Sequence, residues 1–166
     1  MDETTLRLLS TLVKCWMKRG QQKRIANPGK QKWHHLIGAY NWLTGELIYM
    51  TCVKKNSNAF CEFLAYLMNT VTSGKPIVYV LENASYHHSK LSEAMIAYYE
   101  DRSLALWLPP YCSNLNPIER YWKHLKEKAC ANVLFQTIEE VVDSVDKVLT
   151  SQNYFDSSER FLFQKT

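Results

Sequence analysis

LPPYCSNLNPIERYWKHLK, residues 108–126, is the stretch on which the fold turns. Pro109 and Pro110 stop the strand that ends near Leu108, because proline has no amide to give a ladder. Asn114 and Asn116 carry side chains that accept hydrogen bonds from the free amides of a helix start, and Pro117 is a favourable first helical residue. From Ile118 the pattern is amphipathic: Ile118, Tyr121, Trp122 and Leu125 recur on one helical face. Glu119 falls in the first turn, near the positive end of the helix dipole. A carboxylate there either complements the dipole or is a metal ligand aimed past the end of the preceding strand.

Outward from this block, regular elements follow one another closely. Upstream, Leu104–Leu108 reads as a short strand and Ser89–Tyr99 as a helix. Ile77–Leu81, IVYVL, is an apolar run between turn signals, as a buried parallel strand is. Phe60, Phe63, Leu64, Leu67, Met68 and Val71 repeat at helical spacing and predict a helix over 57–71. Trp33–Trp42 and Glu46–Val53 read as strands joined at Thr44-Gly45, an antiparallel hairpin. Downstream, Ile138, Val141, Val142, Val145, Val148 and Leu149 form the stripe of a last helix. Residues 6–18 fit a strand or a short helix. Hairpin strands followed by alternating helices and strands make a mixed α/β sheet with helices on its faces.

Composition bounds the rest. With 166 residues, 46% of them hydrophobic, the chain is long enough for one domain over 1–166 with a proper core. A formal charge of +4 permits a nucleic-acid partner without requiring one. The basic residues concentrate in one place: Lys18, Arg19, Lys23, Arg24, Lys30 and Lys32 have no acid between them, which fits either a solvated loop or a surface for the DNA backbone. Lys123, Lys126 and Lys128 fit a solvated helix face or backbone contact. The five cysteines are scattered without a CxxC pair, which argues against structural zinc and for reduced thiols in an intracellular protein. No apolar run approaches the roughly 20 residues that span a membrane.

Three acids stand at element boundaries. Asp2 opens the chain beside Glu3, Glu82 ends the apolar strand IVYVL, and Glu119 starts the helix described above. Hard oxygen ligands converging from such positions are what metal-assisted phosphodiester chemistry needs. His34-His35 is not such a set, because adjacent strand residues face opposite sides.

LPPYCSNLNPIERYWKHLK resembles the third acidic block of the DDE transposases of the mariner-like insertion-sequence superfamily, whose usual form is close to LPPYSPxLNPIExxWxxLK. VLENASYHHSK, residues 80–90, is similar to the second block, close to VLDNAxxHxS, with Glu82 in place of the usual Asp. Asp2-Glu3 resembles the first block, in which the pair ends a strand, and WHHLIGAYNWLTGEL resembles the segment that follows it. The resemblance runs from about residue 2 to about residue 130. It implies an RNase H-like fold in which Asp2, Glu82 and Glu119 hold Mg²⁺ or Mn²⁺, two ions about 3.5–4 Å apart. It implies nicking of DNA by hydrolysis, then strand transfer by the freed 3′ hydroxyl, in a bacterial cytoplasm. Double-stranded DNA would be the partner, with the chain acting as a homodimer in the DNA complex. The family's N-terminal helix-turn-helix domains have no counterpart in these residues.

The resemblance favours a place beside the active site for His87; Glu3, Asn83 and Asn116 are candidates for supporting roles around the acids, and Lys23, Arg24 and Lys123, by their charge, for contact with DNA. His87 is placed to bond a carboxylate or phosphate, or to cap the next helix. Asn83 is placed to orient Glu82 or touch DNA. Glu for Asp at position 82 adds one methylene, and Mg²⁺ demands near-ideal octahedral geometry. A catalytically inactive remnant that binds DNA or self-associates is therefore the alternative reading.

Overall fold

The first strand, β1 (Asp2–Arg7), places Asp2, Thr4 and Leu6 on one face, which is buried, and Glu3, Thr5 and Arg7 on the other, the period of a pleated strand. The acidic pair lies within this strand, which continues past it to Arg7. Thr4 and Thr5 are β-branched and favour the extended run after the acids. The computed structural model describes residues 1–9, 11–22, 24–25, 29, 31–71, 74–110 and 112–152.

Strands β2 (Trp33–Tyr40) and β3 (Leu47–Cys52) form the expected antiparallel hairpin, in register from Tyr40↔Leu47 to His35↔Cys52. Asn41 makes its turn: the Asn41 side chain accepts from the amides of Leu43 and Thr44, and Gly45 takes a φ of 79°. Trp42 consequently lies in the turn and is exposed, not in β2 as its sequence context predicts. The sheet order is β1-β2-β3.

Helix α1 (Ser57–Thr70) starts where the Asn56 side chain accepts from the Ala59 amide at 3.0 Å. It buries Phe60, Phe63, Leu64, Leu67 and Met68, the stripe read from the sequence. These join Met1, Ile37, Tyr79 and Leu81 in one cluster. Full burial of each large side chain in it contributes about 1.5–3 kcal/mol.

Strands β4 (Ile77–Leu81) and β5 (Ser103–Trp107) pair in parallel, with Leu81 opposite Trp107. Parallel strands need a crossover. Here it is a 3₁₀ turn over Ser85–His88 followed by helix α2 (Lys90–Tyr98). The Met1 backbone nitrogen donates to Val80 O at 2.8 Å, which sets the start of β1 beside the end of β4.

Helices α3 (Pro117–Cys130) and α4 (Ile138–Gln152) complete the described elements. Contacts group the chain into two compact units. Met1–Thr4 and His35–Arg120 form the first; Thr5–His34 and the residues from Tyr121 form the second. In the second, Trp122 and Leu125 of α3 and Val141, Val145 and Leu149 of α4 are buried, and Ser144 Oγ donates to Ala129 O at 2.8 Å. Asn132, at a φ of 55°, holds Val13 by both backbone groups through its side chain. Residues 12–18 take no regular secondary structure, where the sequence fits strand and helix alike. No helix among the described residues is long and apolar enough to cross a membrane.

Candidate metal centre

Three carboxylates from three elements meet in the first unit. Asp2 starts β1, Glu82 follows β4 directly and Glu119 lies in the first turn of α3. One ligand oxygen from each lies within 4.8 Å of the others. Main-chain bonding explains the convergence. Met1 N bonds Val80 O, so Asp2 and Glu82 leave adjacent strand ends. The buried Asn116 side chain donates to Met1 O at 3.3 Å and ties the start of α3 to the start of β1. Leu108 N donates to Leu81 O at 2.9 Å, and Asn83 Nδ2 donates to Leu108 O at 2.5 Å, so the loop leaving β5 is held against the residues around Glu82.

The electrostatics of this cluster are unfavourable without a cation. Asp2 is only 8% exposed. Burial, then the charge of Glu119, and then those of Glu3 and Glu82, push its carboxyl up from 3.8 to about 7. Glu82 Oε1 is buried and has no hydrogen-bond partner among the described residues. A buried carboxylate oxygen without a donor is costly. The donor set is all carboxylate oxygen, the set that suits Mg²⁺ and Mn²⁺. A bound divalent cation fits on both counts, because it would coordinate the orphaned oxygen and offset the crowded negative charge.

Glu3 takes a separate course, as the alternation of a strand requires. Its carboxylate accepts from Tyr86 OH and faces His87 Nε2 at 3.3 Å. Burial opposes its ionisation, but the hydrogen bonds from His87 and Tyr86, the His87 charge and the Lys55 charge outweigh burial and hold its carboxyl below the ordinary value. The Tyr86 phenol is pushed up by burial and then by Glu3. His87 is 2% exposed, and its Nδ1 lies 2.9 Å from Glu82 O. A carbonyl only accepts, so Nδ1 carries a hydrogen. The cap of α2 is not His87 but Ser89, whose side chain accepts from the Ser92 amide.

The remaining candidates separate clearly. Asn83 is exposed and, besides Leu108 O, bonds His88 Nε2 through Oδ1 at 3.2 Å. His88 stacks on Trp107 with ring centroids 4.4 Å apart. Arg24 and Lys123 are exposed in the second unit, and Lys23 lies outside the described residues. His34 and His35 join no metal-binding group among the described residues. Tyr86 is the site neighbour that sequence reasoning missed. The only signal for it was its place between Glu82 and the next helix.

Comparison with known proteins agrees with this geometry. A family profile described as DDE superfamily endonuclease matches residues 1–142. The 39 kDa protein of insertion element IS630 from Shigella sonnei is 28% identical over 131 residues, covering 79% of this chain and 38% of that protein. The y4pE/y4sA protein of Sinorhizobium fredii is 24% identical over 110 residues, covering 66% of this chain and 78% of that one. The chain thus spans well under half of the IS630 protein's length. Among solved structures, the Mos1 transposase paired-end complex with left transposon end superposes with a TM-score of 0.73 at 16% identity, over 98% of this chain and 49% of that one. The Mos1 mariner paired-end complex with Mn superposes with a TM-score of 0.71 at 15% identity, over 98% and 49%. At that identity the likeness establishes the fold, the RNase H-like fold that the sequence resemblance implies. The resemblance to the mariner-like DDE transposases is borne out, and the chain belongs to the DDE superfamily endonucleases.

Proposed function

We propose that this chain is the catalytic part of a transposase, cleaving DNA strands and transferring them to target DNA. The observation that carries the reading is the meeting of Asp2, Glu82 and Glu119 within 4.8 Å, with one buried oxygen of Glu82 lacking a donor among the described residues. These residues would hold Mg²⁺ or Mn²⁺, as two ions. Such ions activate an attacking oxygen and stabilise a leaving one in phosphodiester chemistry. The chain's own contribution is to fix the three carboxylates from two strand ends and a helix start. Water would be the nucleophile for cleavage and a DNA 3′ hydroxyl for transfer, with no covalent intermediate on a side chain.

Double-stranded DNA is the proposed partner, with a homodimer in the complex. The Mos1 structures, described as a paired-end complex and a strand transfer complex, support that reading by analogy. Lys18, Arg19, Arg24 and Lys32 are exposed and suited to the DNA backbone. A bacterial cytoplasm is the proposed setting, in keeping with the two bacterial relatives.

Glu82 in the place of Asp is the observation that favours the second reading, an inactive remnant that still binds DNA or self-associates. Nicking of supercoiled plasmid in Mn²⁺ decides between them. Nicking by the chain, lost in Asp2→Ala and in Glu119→Ala, upholds the enzyme. A silent parent with an active Glu82→Asp variant assigns the loss to that one methylene. Silence in both, with retained DNA binding, upholds the remnant.

A further inference from the structure

We propose that Glu3 and His87 are a positioning pair that sets the spacing of Asp2 and Glu82. The proposal rests on the metal reading of the three acids and deepens it. Asp2 and Glu3 are neighbours on β1 and leave it on opposite sides, so a strand end that offers one carboxylate to the cluster offers the other to the turn after β4. Glu3 meets two donors there, Tyr86 OH and His87 Nε2, both from the 3₁₀ turn over Ser85–His88. The opposite edge of the His87 ring donates through Nδ1 to the main-chain carbonyl of Glu82.

The contacts form one continuous path. It runs from the residue after Asp2, through an imidazole, to the backbone of Glu82. The main-chain bond from Met1 N to Val80 O also ties these strand ends. One such bond leaves the strand ends free to pivot about it, whereas a second connection on the far side of Asp2 fixes both separation and angle. The brace is stiff because the ring cannot turn. His87 packs against Phe60, centroids 4.6 Å apart, and edge-on against Tyr86 at 4.5 Å, and Phe60 belongs to the α1 core. Groups that orient ligands from behind tune metal affinity by about 10–100-fold when removed.

Simple stabilisation is the competing explanation, and three conservative variants separate it from positioning. In His87→Asn the side-chain amide takes the place of Nδ1 and keeps the bond to Glu82 O, but does not reach Glu3. In His87→Gln the amide takes the place of Nε2 and meets Glu3, but leaves Glu82 O. Glu3→Gln keeps the shape and removes the charge. Mn²⁺ is titrated calorimetrically into the chain and each variant, and each is also melted without metal. The expected result is Mn²⁺ binding about 10–100-fold weaker in all three, at a temperature where each is folded. Adding Glu3→Gln to His87→Asn should bring no further loss, because the path is already cut. Variants that melt earlier yet bind Mn²⁺ with the parent's affinity would overturn the pair and leave the metal site standing. A parent chain that binds no Mn²⁺ would overturn the metal reading and the pair together.

Discussion

Replacing Glu119 by Gln should stabilise the metal-free protein and destabilise it relative to the parent once Mn²⁺ is present. Two effects compete in the metal-free state. Glu119 is the largest charge acting on Asp2, after burial, in raising its carboxyl to about 7. Two unit charges at the 4.8 Å limit of the cluster repel by about 3.5 kcal/mol at an effective dielectric of about 20. Glu119 is half-buried, so solvent screening brings the relief to about 1–2 kcal/mol. Against this, a carboxylate in the first turn of a helix contributes about 0.3–1 kcal/mol through the dipole. Repulsion wins at pH 8, where Asp2 is largely ionised. A gain of about 1 kcal/mol raises the melting temperature by about 2–4 °C in a chain of this size.

The pH dependence follows from the same carboxyl. Its folded value of about 7 lies above its ordinary 3.8, so the folded state holds the proton more tightly. That contribution is complete below about 3.8 and is lost as pH rises through about 7. The advantage of Glu119→Gln in the metal-free protein should therefore shrink from pH 8 to pH 5; the Met1 amine, lowered by burial, titrates with the opposite sign and is common to both proteins. Glu3, held below its ordinary 4.5, gives up its contribution only under that value, outside this window. Mn²⁺ at 100 times its dissociation constant adds about 2.7 kcal/mol to whichever protein binds it. Differential scanning calorimetry in EDTA and in Mn²⁺ reads the reversal. Equal Mn²⁺ stabilisation of both proteins, or a variant that melts below the parent in EDTA at pH 8, would refute the reasoning.

Other expectations follow from the same structure. Mn²⁺ affinity should fall about tenfold per pH unit below 7 as protons compete for Asp2, and calorimetric titration at pH 6 and 8 would show no change if Asp2 were not a ligand. Phe60→Ala empties a fully buried position beside His87 and should cost about 3–5 kcal/mol in urea unfolding. Ser89→Ala removes the cap of α2 and should cost about 1 kcal/mol, read from the urea midpoint; His87→Gln should leave the cap itself intact.

The sequence by itself determined the elements whose burial is written in their period. The α1 stripe, the β4 strand and the hairpin at Gly45 are all where their residues place them, but β4 is buried on one face only, with Val78 exposed on the other. Local chemistry also placed the start of α3, because Pro117 fits a first helical turn and Pro109-Pro110 stop the strand before it. Residue type and neighbours marked Asp2, Glu82 and Glu119 as candidates, since acids at element boundaries beside apolar runs are visible in a line of text. That the strand carrying Asp2 runs on to Arg7 was not legible there, because its ladder partners are remote in the chain.

Only the tertiary structure decided what the acids do to one another. Asp2 and Glu119 are 117 positions apart, and their meeting depends on Met1 bonding Val80 and Asn116 bonding Met1. It also decided that Glu3 turns away from the cluster to Tyr86 and His87, and that His87 braces a backbone carbonyl instead of capping a helix. Spacing along a chain records local periodicity. Hydrogen bonds between distant strands, and the dielectric around a buried carboxylate, exist only once the chain has closed on itself.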